Sequence, residues 1–279
     1  MANTTSINSE LFQNLLVASE YALYENSIAR AVSTVFDYPV GAGKVVSVPM
    51  WASITAAKPG EGVAPSAADT NTTSKTITLA EHVFYAQITD MLRDSAQESV
   101  MTALANQAGL ALAESLDKEL IALFSDAAIT QGVGAAGSDN TVDHLMAAAA
   151  TIRANKYSGP LFAVLNPKQA YGIKKAMTAT NSYQNSTQVG SDVLGQYFVG
   201  QIAGITILEN ANVAIDGSDD AVGCVFAPSA FGIAQRGGVV MEEERKASQR
   251  ATDLVMTVVA GAGILRPELA VKVTGDAAV

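Results

Sequence analysis

Apolar positions recur at helical spacing along residues 9–33, at Leu11, Leu15, Ala18, Ala22, Ile28 and Val32, with Phe12, Leu16 and Leu23 widening the stripe. The pattern predicts an amphipathic helix with Asn8 or Ser9 as its cap. Asp37-Tyr38-Pro39 and Gly41-Ala42-Gly43 break it. Period-two patterning follows at residues 44–50 and again at 75–89, where Ile77, Leu79, Val83 and Tyr85 fall at even spacing. Two strands are expected there. The stretch between them, ITAAKPGEGVAPSAADTNTTS, has almost no apolar periodicity. A loop of this length inside a compact domain is usually functional or disordered. Two strands with such a tip form a long hairpin that cannot bury its own faces, and an isolated hairpin is marginal in water. A neighbouring subunit is the natural support.

The strongest local signal comes next. Ser95-Ala96-Gln97-Glu98, preceded by Asp94, has the form of a capping box. Val100, Leu104, Ala108, Leu112, Leu116, Leu120 and Phe124 then repeat every three or four residues. They predict a helix of about thirty residues, roughly 45 Å long, against a usual length of about 11–12 residues. Such a helix is a spine for a plate-like subunit. A glycine-rich turn at 132–137 leads to a second helix at 142–155, a short buried strand at 161–165, and a helix begun by Asn166-Pro167 that runs to about Met177. Residues 178–204 form a second long polar loop carrying Tyr183, Gln196 and Tyr197. Strands resume at 205–208, 224–227, 239–244, 254–265 and 270–273. The fold class is α+β with two non-compact projections.

Composition narrows the function. Charged residues are 16% of the 279, against about 25% in an average globular protein. Either partners cover much of the surface, since interface cores are depleted in charge, or an Ala/Thr/Ser-rich surface keeps the chain in solution. The formal net charge is -10, and there is no basic patch with interleaved aromatics, so counterion-releasing binding to phosphates is not expected. Enclosing nucleic acid without binding it specifically is compatible with this charge. The first ten residues lack the basic and apolar regions of a secretory signal. Residues 254–265 are too short and too punctuated by glycine to cross a bilayer. Assembly in a cytoplasm, with no membrane partner, is expected.

No residue constellation supports catalysis. The two histidines, His82 and His144, belong to no metal-ligand pair. The only cysteine, Cys224, lies in an apolar run and reads as a buried hydrophobe. Gly41-x-Gly43 and Gly261-x-Gly263 lack the third glycine of a dinucleotide loop, and no phosphate loop or nucleophile elbow is present. Glu242-Glu243-Glu244, followed by Arg245, would point its carboxylates to alternate faces of a strand, so it reads as a solvated or intersubunit charged edge. Residues 216–220 read as a polar turn rather than a calcium loop. Neither a catalytic residue, a cofactor nor a metal site is expected.

The order of these features resembles the Hong-Kong-97-type major capsid proteins of tailed phages. The carrying segments are Lys58-Pro59-Gly60-Glu61-Gly62 with residues 74–79, then Thr89 to Ser95, and Leu116-Asp117-Lys118-Glu119 onward to Phe124. Residues 163–167, 204–208 with Val213, and the closing 266–273 complete the set. The resemblance implies an N-terminal arm (1–40), an extended hairpin loop (41–89), a spine helix with a peripheral domain (90–158), an axial domain with its polar loop (159–253) and a closing peripheral-domain strand (254–279). It implies pentamers and hexamers that tile an icosahedral virion shell around double-stranded DNA. Because the sequence starts at the arm, a separate scaffolding protein is implied, with a portal and a possible decoration protein as further partners. Intersubunit contacts are expected from Trp51, Lys58, Glu61 and Lys75 in the hairpin, from Tyr183, Gln196 and Tyr197 in the axial loop, and from Arg93, Glu243 and Arg245 as charged edges. An encapsulin-like nanocompartment shell shares the implied fold and is the alternative. A small-oligomer α+β enzyme is the remote one.

Overall fold

A computed structural model describes residues 15–23, 26–39, 41, 43–51, 56, 58, 60–62, 64, 72–91, 98–179 and 201–278. Two sheets and one long helix organise it. A four-stranded sheet has the order β1-β10-β11-β4, built from Thr34–Asp37, Phe231–Lys246, Ala251–Ile264 and Ala80–Thr89. A six-stranded sheet runs β5-β12-β9-β6-β8-β7, from Gly132–Val133, Ala270–Asp276, Asp220–Phe226, Leu161–Leu165, Ile205–Glu209 and Gln201–Ile202. The remaining pair, β2 (Val45–Trp51) and β3 (Thr72–Thr78), is the hairpin. The mixture of helix and sheet agrees with the α+β class expected from the sequence.

The helix α3 (Glu98–Ala122) is the expected spine, and Ser95, Ala96 and Gln97 of its expected capping box lie outside the described residues. Its buried stripe holds Ala105, Ala108, Leu112, Leu116 and Leu120. The first four pack on Ile88 of β4 and on Leu254, Met256, Val258 and Ala260 of β11, while Leu120 joins the core of the six-stranded sheet. On its other side lies α1 (residues 15–23), through Leu15 and Leu23. At that crossing the spine carries Gly109, where an added Cβ would overlap the Ser19 carbonyl oxygen and lie 2.8 Å from the Ala22 Cβ.

The predicted single helix over 9–33 is interrupted. Ser27 is extended (φ -77, ψ 109), and a separate short helix α2 follows at Ile28–Val32. The segment 34–37 then joins the four-stranded sheet as β1, parallel to β10. Leu15, Leu23, Ala29 and Val32 are buried in the two cores, and 34–37 lies within the sheet. The proposed caps Asn8 and Ser9 lie outside the described residues.

Strand membership crosses the borders expected from sequence. Residues 254–279 do not form one closing strand region: β11 belongs to the four-stranded sheet, while β12 pairs with β9 and β5 in the six-stranded one. Residues 132–154, placed with the spine, contribute β5 and α4 (Val142–Ala154) to the six-stranded sheet and its core. Most of β10, placed in the axial region, pairs with β11 instead. Local patterning specifies that a segment is a strand but not which sheet receives it. The two sheets meet at Phe124, Phe226 and Phe231, with ring centroids 4.9–5.7 Å apart, an aromatic cluster that adds about 0.5–1.5 kcal/mol per pair beyond area burial.

The strand predicted over 75–89 is two strands. Leu79 is the joint, and the chain leaves the hairpin there to enter the four-stranded sheet as β4. Parity changes at this joint. Ile77 and Leu79 are buried at the hairpin foot, but in β4 the even positions His82 and Ile88 face inward, and Val83 and Tyr85 face out. Gly261 allows the crossing, because a Cβ there would overlap the Thr78 carbonyl.

Candidate intersubunit surfaces

The hairpin foot is anchored within its own subunit. Val46, Ile77 and Leu79 are buried against Ala234 and Leu265, with Val48 and Met50 packed beside them. This corrects the expectation that the hairpin has no support of its own: only its foot has. At the far end of the pair, opposite Thr72, Trp51 is 63% exposed. Pleating puts Val48, Met50, Thr73 and Lys75 on one face, through the register Val48↔Lys75 and Met50↔Thr73.

That face looks onto an open groove of about 800 Å³. Trp51 and Lys75 line its hairpin side, and Lys156, Tyr157, Arg266 and Glu268 are on the opposite wall. Two of the four expected hairpin contact residues are therefore brought together. Lys58 and Glu61 are exposed between β2 and β3. Arg93, Tyr183, Gln196 and Tyr197 lie outside the described residues.

The charged edge is organised differently from its sequence reading. Arg245 is held within its own chain, both terminal nitrogens lying 2.7 Å from the two carboxylate oxygens of Asp90, so its head is engaged before any neighbour arrives. Glu243 lies opposite Leu254, whose side chain is buried against the spine, while Glu242 and Glu244 lie opposite Val255 and Asp253 on the other face. The acidic run does divide between faces.

Beside it, Asp253 is ion-paired with Lys246 and accepts hydrogen bonds from Tyr85 Oη at 2.9 Å and Gln87 Nε2 at 3.0 Å. The Lys246 ammonium, with Tyr85 and Gln87, holds the Asp253 carboxyl below the usual carboxylate range. The group therefore stabilises the fold above its unfolded value of about 4, and that contribution is lost as the pH falls through the lower folded value. Asp253→Asn should then be less stable than the parent at pH 7, with the deficit closing as the pH falls below about 4. Urea titrations of both proteins across this range measure it. A deficit independent of pH would contradict the pairing.

Sequence reasoning missed Asp117. It occupies the buried stripe of α3 between Leu116 and Leu120, and a carboxylate at such a position was the available signal. Its Oδ1 accepts from Ser27 Oγ at 3.0 Å and Ala29 N at 2.9 Å. Its Oδ2 accepts from Ile28 N at 3.3 Å and Asn210 Nδ2 at 3.2 Å. One side chain so caps α2 and joins the N-terminal segment, the spine and the loop after β8. Burial outweighs these donors and raises the carboxyl above its ordinary value.

Both histidines are structural. His82 Nδ1 lies 2.7 Å from Ser115 Oγ across the strand–spine contact, and the His144 ring accepts from the Thr141 backbone at 3.4 Å at the start of α4. Cys224 is buried, and desolvation raises its thiol far above the ordinary range. Asn166 caps α5 (Pro167–Ala179) through Lys168 N at 2.9 Å. Among the described residues no cluster of three His, Cys, Asp or Glu side chains could hold a metal ion, and no helix is long and apolar enough to cross a membrane.

Comparison with known proteins gives these surfaces a context. Residues 71–273 match the model of a family described as phage capsid protein. Among curated proteins nothing matches. Among solved structures, the capsid of cyanophage P-SCSP1u is similar at 19% identity and a TM-score of 0.67, over 87% of this chain and 86% of that one. Mycobacterium phage Che8 gives 20% identity and 0.64, over 83% and 84%. The capsid of a native GTA particle gives 15% and 0.68, over 90% of each chain. At these identities the solved structures establish the fold, and the family match, across well over half the chain, establishes the membership. The chain belongs to the phage capsid protein family and is a major capsid protein, a structural subunit that associates with itself to form the head shell.

Proposed function

We propose that the subunit forms pentamers and hexamers that close into an icosahedral head around double-stranded DNA, assembled in the cytoplasm of a bacterial host. A separate scaffolding protein and a portal act in that assembly, and a decoration protein is a further candidate partner. We assign the four-stranded sheet with the spine to a peripheral body and the six-stranded sheet to an axial body. The subunit acts as a shell unit, not as a catalyst.

The observation that carries this reading is the hairpin, buried at Val46, Ile77 and Leu79, half-buried on the same face at Val48 and Met50, and exposed at its far end at Trp51. A hairpin fixed only at its foot gains the rest of its stability from a neighbour. Trp51 lies directly opposite Thr72, so a two-residue Asn-Gly turn can replace residues 52–71 without disturbing the register. The shortened protein should keep the far-ultraviolet circular dichroism and melting temperature of the parent and form no shells by negative-stain microscopy. Normal shells from it would overturn the reading.

A further inference from the structure

His82 stands between two side chains of the spine. Ser115 and Glu119 are four residues apart on α3, so they lie on one face, one turn from each other. His82 Nδ1 meets Ser115 Oγ at 2.7 Å, and across the ring Nε2 faces Glu119 Oε2 at 3.6 Å. That distance is too long for a hydrogen bond. Both Nε2 and Oε2 are nevertheless closed to solvent and have no other hydrogen-bond partner among the described residues. Two buried polar atoms left facing each other cost stability that a small approach would recover. The surroundings supply no competing charge. β4 packs mainly on the spine and on β11, where Val258 lies opposite His82 and the buried Met256 and Ala260 flank it. On β4 itself Glu81 is exposed on the other face. On the spine, Glu114 pairs with Lys118 at the surface, and Asp117 is turned to Ser27 and Asn210.

We propose that His82 is a proton-sensitive clasp between β4 and the spine, closed by a bond from its charged ring to the Glu119 carboxylate. A neutral imidazole carries one N–H. With that hydrogen on Nδ1 and donated to Ser115, Nε2 presents a lone pair to the carboxylate and the contact stays open. With the hydrogen on Nε2, Glu119 receives only a neutral donor. A charged ring donates from both nitrogens. It keeps Ser115 and closes on Glu119 in a charge-assisted bond, about twice as strong as a neutral one. The clasp therefore contributes between the ordinary carboxylate and imidazole ranges, about 4.3 and about 6.5. Its contribution is lost as the pH rises and the ring discharges, and again below that window, where Glu119 takes up a proton. β4 continues the hairpin through Leu79, so the clasp ties the strand that carries the hairpin to the long helix. The inference does not depend on shell formation and is tested on the folded chain.

A double-mutant cycle on the full-length chain tests it. Urea unfolding of the parent, H82Q, E119Q and the double variant is measured at about pH 5.5 and about pH 8, on either side of the free imidazole value. The coupling between the two positions should change the unfolding constant about fivefold at the lower pH and less than about twofold at the higher. His144, Asp117 and Asp253 are common to all four proteins, so their titration cancels in the cycle. A coupling equal at the two pH values, or larger at the higher one, would overturn the proposal and leave His82 a packing residue. If H82Q does not fold, E119Q alone decides. Its deficit against the parent should grow by a similar factor as the pH falls between the same two values, and a deficit that stays constant or shrinks would overturn the proposal.

Discussion

Asp117→Ala should destabilise the subunit by about 3–5 kcal/mol, the cost of leaving several buried donors without their acceptor. Four donors converge on this carboxylate: the Ser27 hydroxyl, the Ile28 and Ala29 backbone amides and the Asn210 amide. Alanine leaves them without an acceptor in a site closed to solvent, and each unsatisfied donor costs about 1–3 kcal/mol. α2 would lose its cap and the N-terminal segment its tie to the spine. Asp117→Asn should fall between the parent and alanine, since it keeps one acceptor oxygen but turns an amide toward donors. The pH dependence has the opposite sign to that of Asp253. Burial raises the Asp117 carboxyl, so the native chain holds this proton more tightly than the unfolded one. Stability from this group is greatest below the ordinary carboxylate range and falls as the pH rises through the folded value. Urea denaturation of the three proteins measures both effects. An alanine variant within about 0.5 kcal/mol of the parent, the range of an ordinary surface substitution, would show that water replaces the carboxylate and that the network is incidental.

Gly109→Ala should destabilise the protein even though it improves helix propensity. In an exposed helix interior this exchange gains about 0.8–1 kcal/mol. Here the new methyl would overlap the Ser19 carbonyl and approach the Ala22 Cβ to 2.8 Å. The first obstacle is backbone, which cannot rotate away, so α1 must move off the spine. Overpacking of this kind costs about 1–3 kcal/mol, and exposing Leu15 and Leu23, both buried against the spine, adds about 1.5–3 kcal/mol for each side chain fully released. We expect a net loss of about 2–4 kcal/mol, and faster proteolysis within residues 1–26. Gly109→Val should be worse. A rise in melting temperature for Gly109→Ala would mean that α1 does not lie where the structure places it.

Both sites show where sequence reasoning runs out. The 3.6-residue repeat from Leu104 to Leu120 predicted the spine because burial on one helix face is a local pattern. Asp117 stood in that stripe in plain view, but its partners Ser27 and Asn210 are 90 and 93 residues away, and no local pattern encodes such a meeting. Gly109 reads as a weak point in a helix until α1 is laid across it. The strand segments were legible from alternation, yet period two is the same in either sheet, so the placement of β11 and β12 in different sheets was not. The joint at Leu79 hides for a similar reason: Ile77, Leu79, Val83 and Tyr85 keep even spacing while the chain changes sheets. Trp51 and Lys75 were legible as hairpin residues flanking a segment poor in apolar positions, and the structure places both on the groove wall. The intramolecular pairing of Arg245 with Asp90, across 155 residues, was beyond the reach of sequence alone.

The central claim is that this subunit completes itself on its neighbours. Electron cryomicroscopy of particles assembled from the purified full-length chain, with its scaffolding protein if that is required, tests it most directly. The account predicts closed icosahedral shells in which each hairpin lies over an adjacent subunit. Monomers or small oligomers without shells, or shells in which every hairpin contacts only its own subunit, would contradict it.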